Sequence, residues 1–176
     1  MKATGIIRRI DELGRIVIPK EIRKTLRIKE GDNLEIFIDG EEKIILKKYS
    51  LMKKLDDFAQ DFTDSIFSFI KYNIIVTDTD NILAISGPLK KEYLKKNISD
   101  YLIEMLKRRT EMLEKHEKII KLTEEKEIIG TYAVSPIIVN GDAIGLVIVL
   151  GEENKVGESE FKIAQIAAQF LKTHLE

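Results

Sequence analysis

Six basic side chains crowd the span 8–24: Arg8, Arg9, Arg15, Lys20, Arg23 and Lys24. A guanidinium is planar and donates in a fork that suits a phosphate or the edge of a guanine, while a lysine ammonium acts as a point charge. The chemistry open to such a set is capture of an anion, not bond-making. Residues 1–29 hold nine Lys and Arg against three Asp and Glu, a net of +6. Residues 51–176 hold 17 against 21, a net of −4, so the overall −1 hides a divided charge. Asymmetry of this kind points to an anionic partner at one end. A solvated basic surface is the plainer alternative.

The elements that must position these residues follow from the local pattern. "TGIIRRID" (4–11) and "RIVI" (15–18) read as short strands. Pro19 holds Ile18 towards extended geometry and can open a helix over "PKEIRKTLRI", where Ile22 and Leu26 share a face. Gly31 in "KEGD" can take positive φ. "NLEIFID" (33–39) reads as a half-buried strand, Asp39-Gly40 as a hairpin turn, and "KIILKKY" (43–49) as the returning strand. About fifty residues bury little surface and leave strand edges open, and a second copy would cover both.

The rest is longer and different. Leu51, Leu55, Phe58, Phe62, Ile66 and Phe69 recur at helical spacing, predicting one amphipathic helix over 51–71. Residues 73–87 read as a hairpin turning at Asp78 to Asn81, and 91–109 as a helix. Residues 111–127 read as a helix or loop ending in a strand. Asn140-Gly141 between two apolar runs is a strong hairpin signal within 128–151. Phe161, Ala164, Ala168, Leu171 and Leu175 make the seam of a last helix (157–175). The second half is therefore an α+β domain, an antiparallel sheet flanked by helices. The expected division is 1–50 and 51–176.

The string "G-x-x-R-x-I-D-x-L-G-R-I-V-I-P-K-E-I-R" with "GD" before the third strand resembles the AbrB-type swapped-hairpin DNA-binding family. That resemblance implies a mainly-β intertwined dimer whose DNA surface is built from Arg8, Arg9, Arg15, Arg23 and Lys24; Lys20, at the end of the 15–18 strand, is added to the set for its charge and place. It also implies a transcriptional regulator of sporulation-type developmental genes, activator or repressor, found in the cytoplasm with the nucleoid. A face rich in charge and poor in Asn and Gln would lean on phosphate contacts and DNA shape. "SPIIVNGDAIGLVIVLG" is similar to GAF domains, which implies oligomerisation and a small, apolar ligand pocket. Leu55, Phe58, Phe62, Phe69, Phe161 and Leu171 are the interface candidates of an expected tetramer; burial against the domain's own sheet is their plainer reading.

Other chemistries lack their residues. There is no cysteine, so no disulfide, thiolate metal site or bilin attachment. Neither His116 nor His174 has a metal-ligand or triad partner at suitable spacing, and "DTDN" (78–81) lacks the glycine and distant glutamate of an EF-hand. No phosphate-binding glycine loop, cyclic-nucleotide motif, signal peptide or apolar run of membrane length is present. An enzyme, a metal and a cofactor are not expected. Two alternatives stand beside the DNA reading: an antitoxin-like module that binds a protein, and a small-molecule sensor without specific DNA binding.

Overall fold

The computed structural model describes residues 5–40 and 42–176, and of 53, 54, 56 and 57 the backbone alone. The chain divides into two compact units, Met1–Tyr49 and Ser50–Glu176.

In the first unit the chain reverses at Asp11–Arg15. Asp11 N donates to Arg15 O (3.0 Å) and Gly14 N to Asp11 O (2.9 Å), with Gly14 at φ +76°. The strands expected at 4–11 and 15–18 do not form: residues 5–10 and 15–19 belong to no strand, and residue 4 lies outside the described residues. A strand exists only through a ladder of backbone partners, and no strand among the described residues pairs with these segments. Pro19 caps helix α1 (Lys20–Thr25), its carbonyl accepting from Arg23 N at 2.9 Å. The helix stops early, with Arg27 at φ 53°. Strands β1 (Leu34–Asp39) and β2 (Lys43–Lys48) pair antiparallel from Leu34↔Lys48 to Asp39↔Lys43, and Gly40 takes φ +68°. The half-buried β1 of the sequence reading is not found. Ile38 is 81% exposed, and Ile36, Ile44, Ile7 and Val17 are open to solvent as well. The alternation is real, but no described residue of a single copy covers its apolar side.

The second unit is a five-stranded antiparallel sheet. Its strands are β3 (Asn73–Thr77), β4 (Ile82–Ser86), β5 (Met112–Thr123), β6 (Lys126–Val139) and β7 (Asp142–Gly151), in the order β4-β3-β7-β6-β5. Alternation sends Ile74, Val76, Ala133, Val147 and Val149 to one face, and Ile75, Tyr132, Val134, Ile148 and Leu150 to the other. The first face is covered by α2 (Asp56–Ile70) and α5 (Glu158–Thr173), through Ala59, Ala164, Ala168 and Leu171. The second is covered by α3 (Lys90–Tyr93) and α4 (Asp100–Arg108), through Tyr93, Leu102, Met105 and Leu106. The β6–β7 turn is made by Asn140 (φ 52°) and Gly141 (φ 86°), both left-handed as a type I′ hairpin turn requires.

Three elements differ from the sequence reading. The helix over 51–71 is two pieces, a 3₁₀ turn at Leu51–Leu55 and then α2. The helix over 91–109 is interrupted because residues 95–98 pair with the margin of the sheet. Ile82 N donates to Lys96 O (2.9 Å), Lys95 N to Ile82 O (3.0 Å) and Ile98 N to Asp80 O (2.9 Å). Ser99 then restarts the helix, its side chain accepting from Leu102 N at 3.2 Å. Residues 112–123 are strand throughout, paired with β6 from Met112↔Val134 to Thr123↔Lys126 with two irregularities in register.

Candidate nucleic-acid interface

Arg8, Arg9, Arg15, Lys20, Arg23 and Lys24 are all exposed. Lys20, Arg23 and Lys24 sit at i, i+3 and i+4 of α1, so they stand on one side of that helix. Arg23 and Lys24 also occupy its last turn, where the helix dipole favours cations. Arg8 precedes the Asp11–Arg15 turn, with Nη1 donating to Ile7 O at 3.3 Å.

Among the described residues Arg15 alone of the six has an ion-pair partner, Asp11. The Asp11 carboxylate accepts from Leu13 N (3.0 Å), Arg15 N (2.8 Å) and Arg15 Nε (2.7 Å). The backbone bond from Arg15, then its side-chain bond, hold the Asp11 pKa below its ordinary 3.8. One carboxylate thus closes the turn and aims the guanidinium, whose two Nη groups have no partner among the described residues. Glu21 takes no such part; its backbone carbonyl accepts from Thr25 Oγ1 at 2.9 Å. The turn geometry makes Asp11 a positioning carboxylate for Arg15.

The second candidate set, on α2 and α5, divides differently from the sequence reading. Leu55 and Leu171 lie inside their own unit's core and are spent there. Phe58, Phe62 and Phe161 are half-buried at its rim, and Phe69 is 88% exposed. Phe170 and Ile166 were missed by the seam pattern because they lie off it. Both are exposed, one turn apart on α5. Phe58, Phe62, Phe170 and His174 form one aromatic stack. Ring centroids are 6.0 Å apart for Phe58–Phe62, 5.0 Å for Phe62–Phe170 and 4.6 Å for Phe58–His174.

The opposite face of the sheet is filled by Tyr93, Tyr132, Ile75 and Ile85. A shallow hollow of about 220 Å³ opens beside α4, lined by Tyr101, Glu104, Met105, Arg108, Thr110 and Met112. Tyr101 and Tyr132 join hydroxyls at 2.9 Å. The Asp78–Asn81 segment is a turn: Asp78 Oδ1 accepts from Asp80 N (2.7 Å) and Asn81 N (2.6 Å). His116 is exposed on β5, and His174 follows α5. No group of three or more His, Asp or Glu could hold a metal among the described residues. No helix among them is long and apolar enough to cross a membrane.

Residues 54–176 match the family model described as stage V sporulation protein T C-terminal, transcription factor. Stage V sporulation protein T of Bacillus subtilis (strain 168) is 46% identical over 177 residues, spanning 100% of this chain and 99% of that protein. The chain belongs to the stage V sporulation protein T family. It is a transcription factor of that family and not an enzyme. Residues 7–54 match a second model, antidote-toxin recognition MazE, bacterial antitoxin. The transition state regulatory protein AbrB of the same organism is 67% identical over 49 residues, 28% of this chain and 50% of that protein. The GAF domain of an Acinetobacter phosphoenolpyruvate-protein phosphotransferase aligns with a TM-score of 0.57, at 12% identity, over 73% of this chain and 84% of that one. That last likeness is one of fold. The chain thus joins an AbrB-type N-terminal unit to an α+β unit of GAF-like fold with an antiparallel sheet.

Proposed function

We propose that the chain regulates sporulation-type developmental genes by binding double-stranded DNA through a two-fold basic face. The face is made when two copies of the first unit pair, each contributing Arg8, Arg9, Arg15, Lys20, Arg23 and Lys24. The observation that carries this reading is the combination found in residues 5–49. A set of exposed basic side chains stands beside an apolar surface that one copy leaves in water, Ile7 and Ile38 above all. Pairing covers the apolar side, completes the missing strands and doubles the charge in one step. The 67% identity of this unit to the AbrB regulator supports the same reading.

The second unit brings dimers together. Phe69, Ile166 and the Phe58–Phe62–Phe170 stack supply the apolar surface for helix-on-helix packing, giving a tetramer. Any small-molecule ligand of this unit would occupy the hollow beside Tyr101 and Met112.

Binding measured against salt tests the DNA reading. With about 6–10 phosphates neutralised, affinity should fall roughly 10³–10⁵-fold between 50 and 200 mM salt; a flat response would end it. The antitoxin-like alternative draws on the match of residues 7–54 to the MazE model. It predicts binding to a protein at salt concentrations that abolish DNA binding. The folded α+β unit that follows residue 50 favours the regulator.

A further inference from the structure

We propose that Ser50 is a phosphorylation site, and that its modification frees the start of the second unit from the β3–β4 turn. Ser50 is the first residue of that unit and lies, half-buried, on an irregular stretch between β2 and the 3₁₀ turn. Its Oγ donates to Asp78 Oδ2 at 3.2 Å. That is longer than the usual range for an O–H···O bond, so the hydroxyl is released at little cost.

Asp78 has no such freedom. It is 1% exposed, and its other oxygen is held by the Asp80 and Asn81 N–H groups. Burial, with the neighbouring Asp80 charge adding, pushes its pKa up. A second negative charge beside it therefore meets a carboxylate that is already poorly solvated and unable to turn away.

The preceding residues suit a particular enzyme class. "KKYS" places Lys47 and Lys48 three and two residues before the hydroxyl. Lys47 is exposed, while Lys48 is paired with Asp32 at 3.0 Å. A serine kinase with an acidic peptide groove matches this pattern, with ATP as donor. Ser50 Oγ attacks the γ-phosphorus and the O–P bond forms. The bond to the β,γ-bridging oxygen breaks, ADP leaves, and the hydroxyl proton passes to the kinase's base. The product carries about −1.5 to −2 charges at neutral pH. Such a group cannot stay against the buried Asp78 carboxylate, so the Ser50 tether is lost.

The test uses the full chain, a basophilic serine kinase and Mg-ATP, with mass spectrometry to locate the phosphate and amide hydrogen exchange to follow residues 49–55. Phosphate is expected on Ser50 and absent there in Ser50→Ala. Exchange in 49–55 should rise about tenfold, chiefly from repulsion between the phosphate and the Asp78 carboxylate. Asp78→Asn keeps the turn's acceptor and offers the phosphate an N–H donor, so the rise should be much smaller in that variant. No phosphate on Ser50, unchanged exchange after modification, or an equal rise in Asp78→Asn would each overturn the proposal. None of these readouts depends on DNA, so the proposal stands or falls apart from the regulatory reading.

Discussion

Asp11 and Arg15 show how much one carboxylate can organise. Asp11 binds two backbone N–H groups and a guanidinium across a five-residue reversal, so Arg15 leaves the backbone in a set direction. Arg15→Ala should weaken DNA binding about tenfold or more without changing the oligomeric state, as for one lost phosphate or base contact. Asp11→Ala keeps every positive charge yet should weaken binding too, because the guanidinium is no longer aimed; titration of labelled operator DNA compares the pair. Asp78 is shifted in the opposite direction from Asp11. Its burial raises the folded pKa above the ordinary 3.8, so the unfolded chain ionises first as pH climbs. The folded state is unpenalised below that value and loses stability as pH rises towards the raised one. Asp78→Asn should therefore raise Tm at pH 7, and thermal melts should show the gain vanishing below about pH 4.

Between the elements, the margins of the sheet decide what the helices can do. The β4 margin is closed from within the unit. Residues 95–98 bond to it, and the Gln60 amide both donates to Ile85 O (3.2 Å) and accepts from Ile85 N (3.3 Å). Covering this edge denies it to a passing strand. Among the described residues the outward side of α2 and α5 has no such cover, and its most exposed apolar residues are Phe69 and Ile166. Phe69→Glu and Ile166→Glu should leave the melting temperature near that of the parent chain, since neither side chain lies in the core. Light scattering should show smaller assemblies for both; unchanged mass would place the contact between dimers elsewhere. Phe58→Glu is a poorer probe, because Phe58 stacks on Phe62 and His174 and its loss would disturb the fold itself.

At the scale of the molecule, the two units differ in self-sufficiency. The second closes two apolar layers around its sheet. The first has Ile7, Val17, Ile36, Ile38 and Ile44 in solvent. Its stability must then come from association, which ties folding to concentration. Residues 1–49 alone should melt at a temperature that rises with protein concentration, whereas residues 50–176 should show far weaker dependence. A first unit whose melt ignores concentration would mean it folds as a monomer.

Local signals were enough for elements whose partners are near in the chain. The Asn140-Gly141 and Asp39-Gly40 hairpins, the Pro19-led helix and the apolar seam of α5 all rest on turn chemistry or i, i+4 spacing, which the sequence determines by itself. So does the basic cluster, because charge is written residue by residue. Tertiary structure alone decided the elements whose state depends on distant partners. Residues 112–123 are charged and poorly periodic, and become strand because β6 offers its free side. Residues 94–99 break a helical period because β4 needs backbone partners. Leu55 and Phe69 carry the same apolar signal on one helical repeat, yet one is core and the other stands 88% in water. A period states which side of a helix is apolar, and only the packed sheet fixes where that side stops being covered.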